Sequence, residues 1–250
     1  MKIAISQPTY LPWTGYFDLI DQVDIFVFLD NVQFEKQSWQ QRNRIKTPSG
    51  LQWLTVPVVF RGRFGQPIHD VEIRDPNFHR NHVRALELNY RRAPHFDKYF
   101  DRLNFLLTNS GPRLAEMNIS LIQWLLDELE LSTKILRASD LEQTGRQAEL
   151  LANICSSLGA TEYVSPVGAT VYLLERLEIF AGKGIDVSFQ HFKHPVYQQL
   201  FPPFCSHASI VDLLMNEGDR SLSILRSGRR APLAPHEITR TMPAETPLYP

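Results

Sequence analysis

Cysteine is scarce: Cys155 and Cys205 are the only two in 250 residues. Two distant thiols make no disulfide framework, and a reducing setting is expected. An excess of one charge is also missing. The 26 Lys and Arg residues stand against 27 Asp and Glu, so no global field draws the chain to nucleic acid or an anionic membrane. No apolar run approaches the roughly 18 residues of a membrane span. Even Ser120 to Leu131 is interrupted by Gln123, Asp127, Glu128 and Glu130. The chain opens on strand-like Met1-Lys2-Ile3-Ala4-Ile5 rather than a signal peptide, and a cytoplasmic location is expected. Internal repeats, heptads and low-complexity tracts are absent, which excludes solenoids and coiled coils.

What is present suits a large buried core: 43% of residues are hydrophobic and 11% aromatic. Residues 2–6 read as a buried strand, Gly15 to Gln22 as a short helix, and Asp24 to Asp30 as a second strand. A polar segment, 31–50, precedes the extended stretch Leu51 to Val58, where Pro57 marks a sheet edge. Arg61 to Pro67 reads as a loop leading into a short strand, Val71 to Ile73. Helical spacing covers about 77–131, broken near Pro94 and Gly111-Pro112. Alternation then resumes, with strands at Lys134 to Ala138, Glu162 to Val164 and Asp186 to Gln190. Helices fall at Leu150 to Leu158, Thr170 to Leu177 and Ser209 to Glu217, the last capped by Ser209 and stopped by Gly218. Strands separated by helices predict an α/β fold, Rossmann-like, with a mainly parallel sheet and a helical insertion. The expected division is one α/β domain over 1–226 and a Pro-rich, disordered C-terminal tail over 227–250.

In such a sheet ligands settle beyond the carboxyl ends of strands. Two segments fall there. Gln7-Pro8-Thr9-Tyr10-Leu11-Pro12-Trp13 carries rigid aromatics before a helix amino end that can face an anion. Asp30 to Lys46 concentrates hydrogen-bonding groups with Lys36, Arg42, Arg44 and Lys46, around Trp39 as a stacking wall. Of His191, His194 and His207, the first two lie on an extended piece beside Pro195 and do not give three convergent ligands, so no metal is expected. The predicted catalytic residues are Gln7, Asp30, His194 and Tyr197, with His194 or Asp30 as base. Tyr10, Trp13, Gln33, Lys36, Trp39, Arg42, Asn43, Arg44 and Ser165 are the predicted substrate contacts. Gln7, Tyr10, Trp13, Asp30, Gln33 and Asn43 are expected to line one pocket, with Arg61 to Gln66 as its lid.

These segments make the chain resemble the WbqC-like family, encoded in bacterial O-antigen and other surface-polysaccharide clusters. The resemblance rests on Gln7 to Phe17, Asp30 to Lys46, Trp53 to Val58, Glu162 to Ser165 with Gly168 and Tyr172, His194 to Gln198, and Ser209 to Leu214. Pro166 departs from the glycine usual after the serine. A looser similarity connects the proline-rich turn after the first strand to pantothenate synthetase and related nucleotidyl-transferring enzymes. Their paired histidines are replaced here by Trp13-Thr14-Gly15-Tyr16. The resemblance implies an acyl or aminoacyl transferase, glycine being one candidate group, acting on an amino-sugar nucleotide with ATP as candidate co-substrate. The alternatives are a nucleotidyl- or glycosyltransferase-like enzyme and a non-catalytic sugar-nucleotide-binding scaffold. The expected partners are a sugar nucleotide and an acyl donor, with no nucleic acid.

Overall fold

In the computed structural model, which describes residues 1–241, the chain runs β1 (Lys2–Ser6), α1 (Thr14–Asp21), β2 (Ile25–Phe28) and a hairpin of β3 (Arg42–Thr47) and β4 (Gly50–Thr55). Helices α2 (Phe78–Tyr90), α3 (Phe96–Thr108) and α4 (Leu114–Glu128) follow. Alternation resumes with β5 (Lys134–Arg137), α5 (Ala148–Ser157), β6 (Glu162–Ser165), α6 (Thr170–Leu174), α7 (Leu177–Ala181) and β7 (Asp186–Phe192). The described residues close with α8 (Ile210–Glu217), α9 (Ser221–Ser227), β8 (Arg229–Leu233) and α10 (Pro235–Thr241).

The sheet order is β5-β2-β1-β6-β7-β8, parallel except for β8, which runs antiparallel to β7. Counted within the sheet, that is the order 3-2-1-4-5-6 of doubly wound dinucleotide-type folds, and it reverses between β1 and β6. Both sheet faces are covered, which is why the inner strands read as unbroken apolar runs. Ile3, Ile5, Ile25 and Val27 point to one face, against α5, α7 and Ile238 of α10. Ala4, Phe26 and Phe28 point to the other, against α1, the α2–α4 insertion and α8. The two-residue side-chain period of a strand accounts for this division. Ser209 caps α8 by accepting from the Val211 amide at 3.3 Å, and Gly218, at φ 54°, ends it.

Three expectations are corrected. The segment 31–50 contains β3, paired with β4 in the register Arg42↔Thr55 and Arg44↔Trp53. Its apolar residues are too few for local periodicity, and cross-strand pairing supplies the order. Val71 to Ile73 makes single bridges, Val58↔Ile73 and Glu72↔Arg113, rather than a strand. The disorder expected from residue 227 is corrected as far as residue 241. Arg229–Leu233 and Pro235–Thr241 are a strand and a helix, held by pairing to β7 and by Arg229 against Asp18 on α1. Pro232 is tolerated because β8 is an edge strand. The rest of that predicted tail, 242–250, lies outside the described residues.

Candidate functional site

Three segments distant in sequence zip together by backbone hydrogen bonds. Tyr10 N donates to Trp39 O at 2.9 Å, Ser209 N to Arg44 O at 2.8 Å, and Ile210 N to Pro12 O at 2.8 Å. Trp13 and Ser209 form an antiparallel bridge. Leu11 sits at φ 42°, a left-handed conformation unusual for a branched residue, and the Asn43 amide holds its carbonyl at 2.7 Å. The loop after β1, the strand β3 and the loop before α8 thus form one surface.

Trp13 is the hub of its aromatic part. Its indole lies over the first turn of α1, where a Cβ on Gly15 would come within 2.2 Å of the ring. Against it stack His207, with ring centroids 4.9 Å apart, and His194, at 6.1 Å, while Phe192 meets its edge. His194 Nδ1 is 2.9 Å from Pro195 O. A carbonyl only accepts, so Nδ1 carries the proton and Nε2 holds a lone pair. Nε2 is buried and has no hydrogen-bond partner among the described residues. Burial pushes the His194 imidazole down to about 4, and the neighbouring His207 pushes the same way. It is neutral at pH 7.

The cationic part stands beside it. Arg42 and Arg44 are two apart on β3 and share a face, with Trp53 directly across from Arg44. The Arg42 guanidinium lies 4.2 Å from the Trp53 ring centroid; Arg44 lies 5.2 Å from Trp53 and 5.3 Å from Trp39. Stacking on an indole fixes a guanidinium plane and leaves its N–H edges free for an anion. Neither arginine meets a carboxylate among the described residues, and Arg44 Nε is buried without a partner. Burial and then the Arg42 charge lower the Arg44 pKa.

The predicted residues separate into two groups. Gln7 joins the surface through Gln40, whose Nε2 donates to Gln7 Oε1 at 2.8 Å next to Trp39. Trp13, Trp39, Arg42, Arg44 and His194 meet there as well. Tyr10, Asn43 and Tyr197 lie behind it with their polar groups engaged. Tyr10 OH bonds His82 at 2.8 Å, and Tyr197 OH donates to buried Asp212 at 2.7 Å. Asp212 also takes Tyr90 OH and Gln199 Nε2, which ties the 197–205 loop to the core. Ser165 is fully buried, its hydroxyl on Pro166 O.

Asp30, Gln33 and Lys36 are elsewhere, so the expected single pocket is corrected. Asp30 accepts from the Ser139 amide and hydroxyl, at 2.9 and 2.8 Å, beside Arg137 at 3.6 Å. It follows β2, three strand spacings or about 14 Å from β7, which leads to His194. Its polar neighbours come from the end of β5 and the turn that follows it, and a distant pairing of that kind leaves no local sequence signal. Gln33 is exposed and bridges Pro67, and Lys36 lies 4.0 Å over Phe60. Phe64, 97% exposed, tips the Arg61 to Gln66 loop.

A recess of about 310 Å3 opens at the carboxyl ends of β2 and β5, lined by Phe28, Ile119, Ile135, Glu116, Arg137 and Asp140 among others. Its arginine is already bonded to Glu116 at 2.5 Å. The recess's Arg137 is thus held by Glu116 and Asp30, whereas Arg44 and His194 on the Trp13 to Arg44 surface meet no carboxylate among the described residues and each keep a buried nitrogen without a hydrogen-bond partner, and chemistry outweighs volume in choosing between them. Sequence reasoning missed Trp53, Gln40 and the placement of His207. Trp53 would have been found by recognising β3 and pairing it with β4; His207 has no local signal.

The surface falls within the residues, 7–224, that match the WbqC-like protein family. The chain belongs to that family. It is 41% identical over 231 residues to "Uncharacterized protein Rv1507c" of Mycobacterium tuberculosis, covering 92% of this chain and 99% of that protein. No solved structure matches the chain. No helix among the described residues is long and apolar enough to cross a membrane.

Proposed function

We propose that this member of the WbqC-like family is a transferase that moves an acyl or aminoacyl group onto the amine of a sugar nucleotide destined for surface polysaccharide. The observation that carries the reading is the His194 Nε2 lone pair, buried and unbonded, beside two arginines without carboxylate partners. Amide formation needs a base at the amine, donors for the developing oxyanion and cations for the substrate phosphates. Arg42 and Arg44 hold the diphosphate, Trp39 and Trp53 fix the guanidinium planes, and His194 takes the amine proton. A bound phosphate raises the His194 pKa from its depressed value toward neutrality, where a general base works best. Gln7 and Trp13 border the amine. Tyr10, Asn43, Tyr197 and Asp212 act through the others by holding the loops.

The test is incubation with UDP-linked amino sugars and either acetyl-coenzyme A or ATP with glycine, read by mass spectrometry. Thermal shift is measured in parallel. A ligand at about 100 Kd should stabilise the fold by roughly 2.7 kcal/mol. Transfer that disappears in His194→Ala supports the reading. Stabilisation without transfer by the wild type points to a binding scaffold, and neither effect removes the sugar nucleotide from consideration.

A further inference from the structure

We propose that His207 is the partner of His194 in this reaction: its Nε2–H donates the hydrogen bond that stabilises the oxyanion formed at the acyl carbon. The assignment rests on the transfer reading above.

His207 is held at φ 61°, in the left-handed region that a non-glycine residue adopts at a cost only when the surroundings impose it. What imposes it is visible. The ring stacks on Trp13, and Ser209, two residues on, is tied to β3 through its amide and to the loop after β1 through its bridge to Trp13. The strain sets an exposed imidazole 5.2 Å, centroid to centroid, from His194. Two hydrogen bonds of about 2.9 Å to one tetrahedral centre can be made by a pair this close.

The two rings differ in what their inner nitrogens meet. His194 Nδ1 faces a carbonyl and must donate, which makes Nε2 an acceptor. His207 Nδ1 lies 2.8 Å from Ser206 Oγ, and a hydroxyl can donate. With Ser206 donating, Nδ1 accepts and Nε2 carries the proton. Packing of the ring, and then the Arg44 charge, lower the His207 pKa, which keeps it neutral beside a cationic surface. A neutral imidazole polarises a carbonyl without surrendering its proton. One ring therefore accepts where its neighbour donates.

The co-reactant is an activated acyl compound, a thioester or an acyl phosphate. The amine nitrogen bonds to the acyl carbon, and the carbonyl π pair moves onto oxygen, where His207 Nε2–H meets it. His194 Nε2 takes the amine proton. The oxygen pair then re-forms the carbonyl, the thiolate or phosphate leaves with its bonding pair, and His194 returns the proton to it.

Two measurements test this. Long-range proton–nitrogen spectra of the uniformly 15N-labelled chain at pH 7 should show His194 protonated at Nδ1 and His207 at Nε2, both neutral. A His207 protonated at Nδ1, or at both nitrogens, overturns the assignment whether or not turnover is seen. In the transfer assay His207→Ala should lower kcat by about 10²–10³ and leave KM nearly unchanged, as loss of one oxyanion donor does. His207→Gln, which keeps an N–H, should recover at least about tenfold of that loss. Equal losses in both variants, or a loss confined to KM, make His207 a packing residue. If the wild type turns over no donor and acceptor pair, the transfer reading itself falls, and the spectra distinguish that failure from a wrong tautomer.

Discussion

Two pairs of arginines in this chain have opposite surroundings. On one side of the sheet, Arg226 and Arg229 bond Asp21, and Arg229 also bonds Asp18 at 2.8 Å. On the β3 face, Arg42 and Arg44 lie on indoles with no carboxylate near them among the described residues. A charge paired within the fold is used by the fold; a charge held in place but left unpaired is available to a ligand. The buried histidines repeat the contrast. His82 has Tyr10 OH at one ring nitrogen and Thr55 O at the other, whereas His194 keeps Nε2 unbonded.

The largest expected effect comes from the paired side. Arg229→Ala strands Asp18, a fully buried carboxylate whose pKa burial already raises. Loss of one partner from a buried pair costs about 3–5 kcal/mol. The low end, about 3, is expected here, because Gln22 and Gln190 still donate to Asp18. Urea unfolding measures the loss, and ligand affinity should stay as in the wild type. A loss under about 1 kcal/mol would show that Arg229 is no more engaged than a surface arginine.

The reverse is expected of Arg42→Ala. Its stability should change by no more than about 1 kcal/mol, the worth of an exposed cation–π contact. Affinity for a UDP-amino sugar should fall by about 2 kcal/mol or more, and Arg42→Lys should regain only part, since an ammonium lacks the planar fork. Titration calorimetry beside urea unfolding decides it. Unchanged affinity in both variants would take the phosphate away from this face.

The smallest effect concerns pH. The His82 and His194 imidazoles are both pushed by burial from 6.5 to about 4. Each therefore binds its proton more readily in the unfolded chain, so unfolding takes up protons in this window. Stability contributed above about 6.5 is lost as the pH falls towards 4. His82→Gln should flatten that slope and lower stability by about 1–3 kcal/mol at pH 7, because it breaks bonds inside the core. His194→Gln should flatten the slope with little loss at pH 7. Identical stabilities of the two variants would erase the distinction between an engaged and an open histidine.

Much of the fold was legible in advance where a periodic pattern reports burial directly. The strands at Lys2–Ser6 and Asp186–Phe192 and the Ser209-capped helix α8 were read close to their bounds. The alternation Arg42, Asn43, Arg44 contained more than was read from it. On a strand, Asn43 must turn inward, and it holds Leu11 O instead of facing a ligand. Asp30 followed a strand end as required, yet its neighbours come from the end of β5 and the turn that follows it, and it is enclosed.

While β3, β8 and α10 needed their partners, the sequence alone determined the strands and helices of the parallel sheet, which faces they bury, and that polar chemistry collects after β1. Those properties depend on neighbours within a few residues, which a one-dimensional pattern records. Tertiary structure decided the partner of each charge. Asp18 meets Arg229 across more than two hundred residues, His194 meets Trp13 from another loop and His207 from the far end of its own, and Arg42 and Arg44 meet no carboxylate among the described residues. Side-chain identity fixes what a group can donate or accept. Whether it is already satisfied depends on which distant atoms the strand order and loop contacts bring within hydrogen-bond reach.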